Sequence, residues 1–276
     1  MVEETRTTQE TEIVESYDRT FLDEKPKFMG LPPSYDEDED NLLVNGMLGK
    51  YQLWVPKSDI SITPCLTGEI GGMPGAWENW VTSWHTKNLH EFDTYVDVGA
   101  NSGYFSLLAS LYGLKVVSIE ANPVYASLLR RNFEHNGASR WAVVEGAASN
   151  YAGKAIMSVP TQKQGGSSIR HGNTNLPGEP MEVECFPLDH LEGPRNEKVL
   201  VKVDVEGAEQ MVWEGAQSFN KSFDTPPVYI MEYTHRHYDD KFFDSLTEYG
   251  TVTEVDYQGN ERSVTKEYAD NADDWV

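Results

Sequence analysis

The sequence is poor in positive charge. Of 276 residues, 22 are Lys or Arg against 45 Asp or Glu, a formal charge of −23. Nucleic-acid binding draws on a basic face that displaces counterions from phosphate, so no nucleic-acid partner is expected. Cysteine is nearly absent. Cys65 and Cys185 lie far apart and make neither a disulfide framework nor a thiolate metal cluster, so two free thiols in a reducing cytoplasm are expected. No apolar run is long enough to cross a bilayer. The first residues, MVEETRTTQE, lack the basic start and apolar centre of a secretory signal, and the expected location is cytoplasmic. No histidine spacing points to zinc. The apolar share of 39% is low, which implies that part of the chain does not pack.

The acid is concentrated at the ends. Residues 1–40 carry −9 and residues 231–276 carry −8, leaving −6 for the centre. Residues 1–45 therefore read as a disordered acidic arm that contains the run Asp36-Glu37-Asp38-Glu39-Asp40. Within it, Pro32-Pro33-Ser34-Tyr35 fits the PPxY pattern that WW domains grip, although a tail containing proline also produces this pattern by chance. Residues 259–276 read as an acidic tail, leaving 46–258 as the folded domain.

Between these ends the pattern is regular. Tyr51–Val55 alternates as a strand and Pro56 stops it; Ala76–Leu89 carries Trp77, Trp80, Val81 and Trp84 at helical spacing, which reads as core packing. Strands are then expected at Tyr95–Val98, Lys115–Ile119, Trp141–Glu145, Ala155–Val159, Glu182–Pro187, Val199–Val205, Val228–Glu232 and Thr251–Tyr257. Helices are expected at Tyr104–Tyr112, Val124–Asn136, from Gln210 to Ala216, and at Asp239–Tyr249. This alternation implies βαβ units, an α/β fold with a doubly wound, mostly parallel sheet, and ligands at the carboxyl ends of the strands.

The sharpest stretch is Val96-Asp97-Val98-Gly99-Ala100-Asn101-Ser102-Gly103, a strand turning at Gly99 and entering a helix at Gly103. Glycine is needed where a Cβ would hold a ligand off the backbone, and the helix start offers free N–H groups. The spacing is not the GxGxxG that seats a pyrophosphate. Asp97, two residues before the first glycine, suits a cationic ligand such as S-adenosylmethionine better than a phosphate. Glu120 ends the next strand about 20 residues on, where an acid accepts ribose hydroxyls.

The stretches VDVGANSGYFS (96–106), SIEANPVYASLLRRNFEHNG (118–137), GGSSI (165–169), FPLDHL (186–191), VKVDVEGAEQMVWEGA (201–216) and PPVYIMEYT (226–234) together resemble the FkbM family of S-adenosylmethionine-dependent methyltransferases. The resemblance runs from about Gly75 to Tyr233. It implies a Rossmann-like seven-stranded sheet with an antiparallel last strand, and methyl transfer to a hydroxyl. It sets the donor over Asp97, Gly99, Asn101, Gly103 and Glu120, with Asn122 just beyond, Glu78 close to the donor, and Ala147 near the adenine.

In Lys202-Val203-Asp204-Val205-Glu206, residues 202, 204 and 206 share one strand side if the strand stays extended. Buried charges need partners, so Lys202 is expected to pair with Asp204 or Glu206. The candidates for proton acceptor are Asp204, then Glu206, then Glu232; alternatively the three acids hold Mg²⁺. His171 and His235 are further candidates near the acceptor. The loop Thr161–Pro180 offers Ser167, Ser168, Arg170 and Asn173 to a small-molecule or glycan acceptor. Two other readings stand beside this one: a dehydrogenase-like nucleotide enzyme, and a non-catalytic adaptor that uses the PPxY arm.

Overall fold

A computed structural model describes residues 36–46, 49–70, 75–160, 166–170, 178–193, 195–239 and 241–271. Its first elements overturn part of the expected disordered arm. Strands β1 (Asp36–Glu37) and β2 (Asn41–Asn45) form an antiparallel sheet with β3 (Gln52–Pro56). The acidic run is the turn of this sheet: Asp38 Oδ1 accepts from the N–H groups of Asp40 and Asn41 at 3.0 and 2.7 Å. Leu43 and Val44 are then buried opposite Trp54 and Leu53. The PPxY segment lies outside the described residues.

Short helix α1 (Ile62–Thr67) and helix α2 (Asn79–Asn88) precede the central sheet. That sheet takes strands β4 (Thr94–Val98), β5 (Lys115–Glu120) and β6 (Trp141–Glu145), joined by helices α3 (Tyr104–Leu111) and α4 (Pro123–His135). A side sheet follows from β7 (Ala147–Ala148), β8 (Gly153–Pro160) and β9 (Gly178–Phe186). The chain returns to the centre as β10 (Val199–Val203), helices α5 (Glu209–Glu214) and α6 (Gln217–Lys221), and β11 (Val228–Met231). Helix α7 (Phe242–Tyr249), the hairpin β12 (Thr253–Val255) and β13 (Glu261–Ser263), and helix α8 (Lys266–Asn271) complete the described chain.

The central order is β11-β10-β4-β5-β6, and every pairing is parallel. Strands β4 and β10 are buried at every residue, as a parallel sheet covered on both faces requires. Tyr95 and Leu200 join the core cluster with α3 and α4 on one face, while Val96, Val201 and Val203 join the cluster with α5 and α6 on the other. Each fully buried large side chain contributes roughly 1.5–3 kcal/mol relative to exposure. Helix α4 also covers the outer edge of β3. Asn132 Oδ1 accepts from Trp54 N at 2.7 Å, and its Nδ2 donates to Trp54 O and Ser102 O. Those contacts satisfy an edge that would otherwise be open.

The family resemblance implies two more strands in the sheet, the last antiparallel. Among the described residues the central sheet has five, and β12 and β13 pair with each other instead. The described part of the expected acidic tail, as far as 271, has structure of its own. Asp256 Oδ1 accepts from Gln258 N and Asn260 N to close the hairpin, and Ala269 is buried among Trp213, Tyr233 and Phe243. Among the described residues no helix is long and apolar enough to cross a membrane. Cys65 and Cys185 are free.

Candidate functional site

Strand order reverses between β4 and β10, so their carboxyl ends splay apart and open a crevice. Asp204 N donates to Val98 O at 3.0 Å, the last rung before the split. Gly99 then turns with φ +82, and a Cβ there would stand 1.8 Å from Asp204 O. Gly103, at φ +93, packs so closely on Leu129 that a Cβ would stand 2.2 Å from its Cδ1. Asn101 between them also has a positive φ, of 53°. The turn is thus specified by contact with β10 and α4 as well as by any ligand.

On one side of this turn, Glu120 Oε2 accepts from Asn101 N at 2.7 Å and Oε1 from Asn122 N at 2.8 Å. Burial raises the Glu120 carboxyl to about 7, against those two N–H groups that lower it. Asn122 caps α4, its Oδ1 accepting from Val124 N at 3.0 Å, with Pro123 at the first helical position. A small cavity of about 60 Å³ lies here, lined by Gly99, Asn101, Glu120, Tyr125, Ala147 and Met157. Ser167 and Ser168 line this same cavity rather than the larger one, because Ser168 bridges to Ser158 on β8. Arg170 Nη1 reaches Gly207 O at 3.4 Å. His171, Asn173 and the side chain of His235 lie outside the described residues.

On the other side, Glu78, Asp97, Lys202, Asp204, Glu206 and Glu232 converge on an inner cavity of about 250 Å³. Asp97 is 1% exposed. Its Oδ2 accepts from Ser106 Oγ at 2.5 Å, while its Oδ1 has no hydrogen-bond partner. Glu78 precedes α2 in the left-handed region, at φ 43°. Burial and the carboxylate of Asp204 raise Glu78 to about 7, and the same two causes raise Glu232 to about 8. Lys202 is buried, and burial alone would lower its pKa. The charges of Asp204, Glu78 and Asp97 overcome that and hold it above its ordinary value. Its Nζ lies 2.8 Å from Asp204 Oδ2 and 4.9 Å from the centre of the Phe105 ring.

The expected strand Val199–Val205 stops at Val203. Glu206 adopts φ 54° and Gly207 φ 92°, so Glu206 arrives at the cavity from a turn and not by strand alternation. Glu209 holds this turn, a role that the sequence reading missed. Its Oε1 accepts from Val205 N and Gly207 N at 2.9 and 3.2 Å, and its Oε2 from Tyr238 Oη at 2.7 Å. The available signal was an acid opening a helix just after a glycine. Also missed were Trp80, Glu254, Asp256, Tyr257 and Arg262. They line an outer cavity of about 460 Å³ that shares Glu78, Lys202, Asp204 and Glu232 with the inner one. Trp80, read from sequence as core, is only partly buried and stands at this wall. Among the described residues no group of three or more His, Cys, Asp or Glu is arranged to hold a metal ion, so the Mg²⁺ alternative for Asp204, Glu206 and Glu232 has no support.

A family model described as "Methyltransferase FkbM domain" matches residues 97–263. No curated protein matches the chain significantly. Among solved structures, precorrin-6y C5,15-methyltransferase from Geobacter metallireducens GS-15 is similar at 16% identity. The match covers 63% of this chain and 71% of that one, with a TM-score of 0.37. A putative O-methyltransferase from Klebsiella pneumoniae is similar at 11% identity, over 66% and 70% of the two chains, with a TM-score of 0.37. The family match spans more than half of the 276 residues and carries the assignment. This chain belongs to the FkbM family of S-adenosylmethionine-dependent methyltransferases.

Proposed function

We propose that this protein is an O-methyltransferase acting on a hydroxyl of a sugar, glycan or similar polyhydroxylated small molecule. The observation that carries the reading is the position of Asp204. It alone lines the small, the inner and the outer cavities among those described, so it stands where a nucleoside-sized donor and an acceptor would meet.

The residues suit the donor. When bound, S-adenosylmethionine supplies a methyl group on a positively charged sulfur. Asp97 offers a buried carboxylate oxygen that lacks a partner, which fits an ammonium group and is costly to leave unpaired. Glu120, fixed by two backbone N–H groups, retains lone pairs for ribose hydroxyls, and Ala147 leaves room for a flat base. Methyl transfer to oxygen is an in-line displacement: the S–C bond breaks as the O–C bond forms, and the hydroxyl proton must leave. Asp204, oriented by Lys202, is the first candidate to take that proton, with Glu206 and Glu232 beside it. Aromatic and aliphatic walls from Trp77, Phe105 and Ile62 restrict water at the inner cavity.

The test is transfer of a labelled methyl group to a panel of sugars, glycans and small hydroxylated metabolites, with the product mapped for an O-methyl group. Methyl found only on carbon, or only on nitrogen or sulfur, overturns the reading. Glu120→Ala is expected to weaken donor binding by about ten- to a hundred-fold, the worth of hydrogen bonds to a charged group. Calorimetry showing unchanged affinity removes Glu120 from the ribose.

A further inference from the structure

The two segments that bring Glu206 and Glu232 to the inner cavity are tied to each other behind it. Glu206 comes from the turn after β10, and Glu232 directly follows β11. The two strands run parallel as far as Val203 and Met231, and Glu232 N then donates to Val203 O at 3.2 Å. Beyond that rung the sheet no longer sets the distance between the segments. Glu209 and Tyr238 take over. Glu209 is fully buried; its Oε1 grips the turn that bears Glu206, and its Oε2 accepts from Tyr238 Oη at 2.7 Å. The same hydroxyl reaches Glu232 O at 3.4 Å.

The pairing repeats one residue further along each segment. Gln210 Nε2 donates to Asp239 Oδ2 at 2.8 Å, and Gln210 Oε1 accepts from Asp239 N at 3.1 Å. Glu209-Gln210, opening α5, thus meets Tyr238-Asp239 side by side. The Tyr238 ring is seated for this role, with ring centres 5.1 Å from Tyr233 and 4.8 Å from Phe242. Stability alone does not call for a buried carboxylate here, because an apolar side chain of similar volume often serves as well. What the carboxylate adds is direction: it fixes backbone from one segment and a hydroxyl from the other at set angles.

Resting on the methyltransferase reading above, we propose that Glu209 and Tyr238 are positioning residues: their hydrogen bond clasps the turn after β10 to the segment after β11 and so sets the separation of Glu206 and Glu232 for the transfer step. Neither side chain lines the small, inner or outer cavity, so both act through the two acids. Glu232 also reports on the clasp. It is faced by Asp204 and Glu206 after β10, by Glu209 on α5 and by Glu78 before α2, with Lys202 of β10 in the same cavity. Burial and those carboxylates push it up to about 8. Repulsion between like charges falls with distance, so its titration measures how closely the acids are held.

The experiment follows the Glu232 carboxyl by carbon NMR from acid to alkaline pH in the full chain, unaltered and as Tyr238→Phe, which keeps the ring and removes the hydroxyl. Glu232 is expected to titrate about one pH unit lower in the variant as the acids draw apart. The amides of Val205 and Gly207 are expected to exchange with solvent about tenfold faster, the worth of a hydrogen bond to a charged group. Affinity for S-adenosylhomocysteine, measured by calorimetry, is expected to change by no more than about two-fold, since Glu120 and Asp97 are untouched. Should Tyr238→Phe fail to fold, Gln210→Ala opens the outer half of the clasp and is expected to move Glu232 in the same direction by less. A Glu232 titration that stays in place or moves up in the folded variant overturns the positioning role and leaves Glu209 a brace of its own turn. Absence of S-adenosylhomocysteine binding by the unaltered protein instead overturns the methyltransferase reading, so the two failures are told apart.

Discussion

Asp204→Asn is expected to cut methyl transfer by about two to four orders of magnitude, the usual worth of a positioned general base, while donor affinity changes only a few-fold. Asp204 directly follows β10, where its backbone N–H still bonds Val98 O, so its Cα is fixed by the sheet. Its Oδ2 is held by Lys202 Nζ at 2.8 Å, and Lys202 is itself packed over Phe105. A carboxylate fixed in this way loses little entropy on taking up a proton in transit. Asparagine keeps the shape and removes the basicity. Alanine would instead deprive a buried ammonium of its closest partner, and loss of one member of a buried pair costs about 3–5 kcal/mol. The measurements are single-turnover rates with labelled donor, and calorimetric donor affinity for the same variant. Transfer that survives at the original rate moves the proton acceptor to Glu206 or Glu232, and the same assay on Glu232→Gln then separates those two.

How far the sequence could be read depended on whether a feature was local. The bend at Gly99, the helix start at Gly103 and the acid closing β5 were legible, because each follows from a few adjacent residues: a buried strand and glycines that must adopt a positive φ. The family resemblance was legible for the same reason, since its motifs are these turns. Long-range pairing was hidden. Asp36–Asp40 has the composition of a solvated tail; it becomes a hairpin turn because Asp36–Glu37 pair with Leu42–Leu43, and the strand Gln52–Pro56 on the other side of Asn41–Asn45 completes the sheet in which Leu43 and Val44 are buried. Ser167 and Ser168 were expected at the acceptor by their loop composition, and a bridge from Ser168 to Ser158 sets them at the small cavity beside Glu120. Glu206 was expected from strand alternation and reaches the site by a left-handed turn that Glu209 clamps. The hairpin bearing Tyr257 and Arg262 had a readable turn in Asp256–Asn260, but nothing in its sequence tells that it faces Trp80.

The ligand-free protein is expected to lose stability as pH rises from 6.5 to 8, and the loss is expected to shrink when a cationic ligand is bound. In the folded state Glu78 and Glu120 are raised to about 7 and Glu232 to about 8, chiefly by burial. A carboxyl raised above its unfolded value contributes stability that is complete below about pH 4.5 and is lost as pH climbs through the folded value. His85 acts in the opposite sense. Buried between Val81 O and Tyr95 Oη, at 2.8 and 2.9 Å, it is lowered to about 3, so its contribution is present above about pH 6.5 and fades below it. Between pH 4.5 and 6.5 the two effects compete. Above 6.5 His85 is neutral in both states and the acids act unopposed, with a slope of up to about 1.4 kcal/mol per pH unit for each group still titrating. At this size each kcal/mol moves Tm by about 2–4 °C, so a fall of several degrees between pH 6.5 and 8 is expected in a thermal melt. S-adenosylmethionine, seated as proposed with its sulfonium among these carboxylates, is expected to raise Tm more at pH 8 than at pH 6.5. S-adenosylhomocysteine lacks that charge, and the amount by which it raises Tm is expected to differ less between the two pH values. Equal pH dependence for both compounds would mean that Glu78 and Glu232 do not sense the reacting sulfur, and the catalytic assignment of the inner cavity would fall with it.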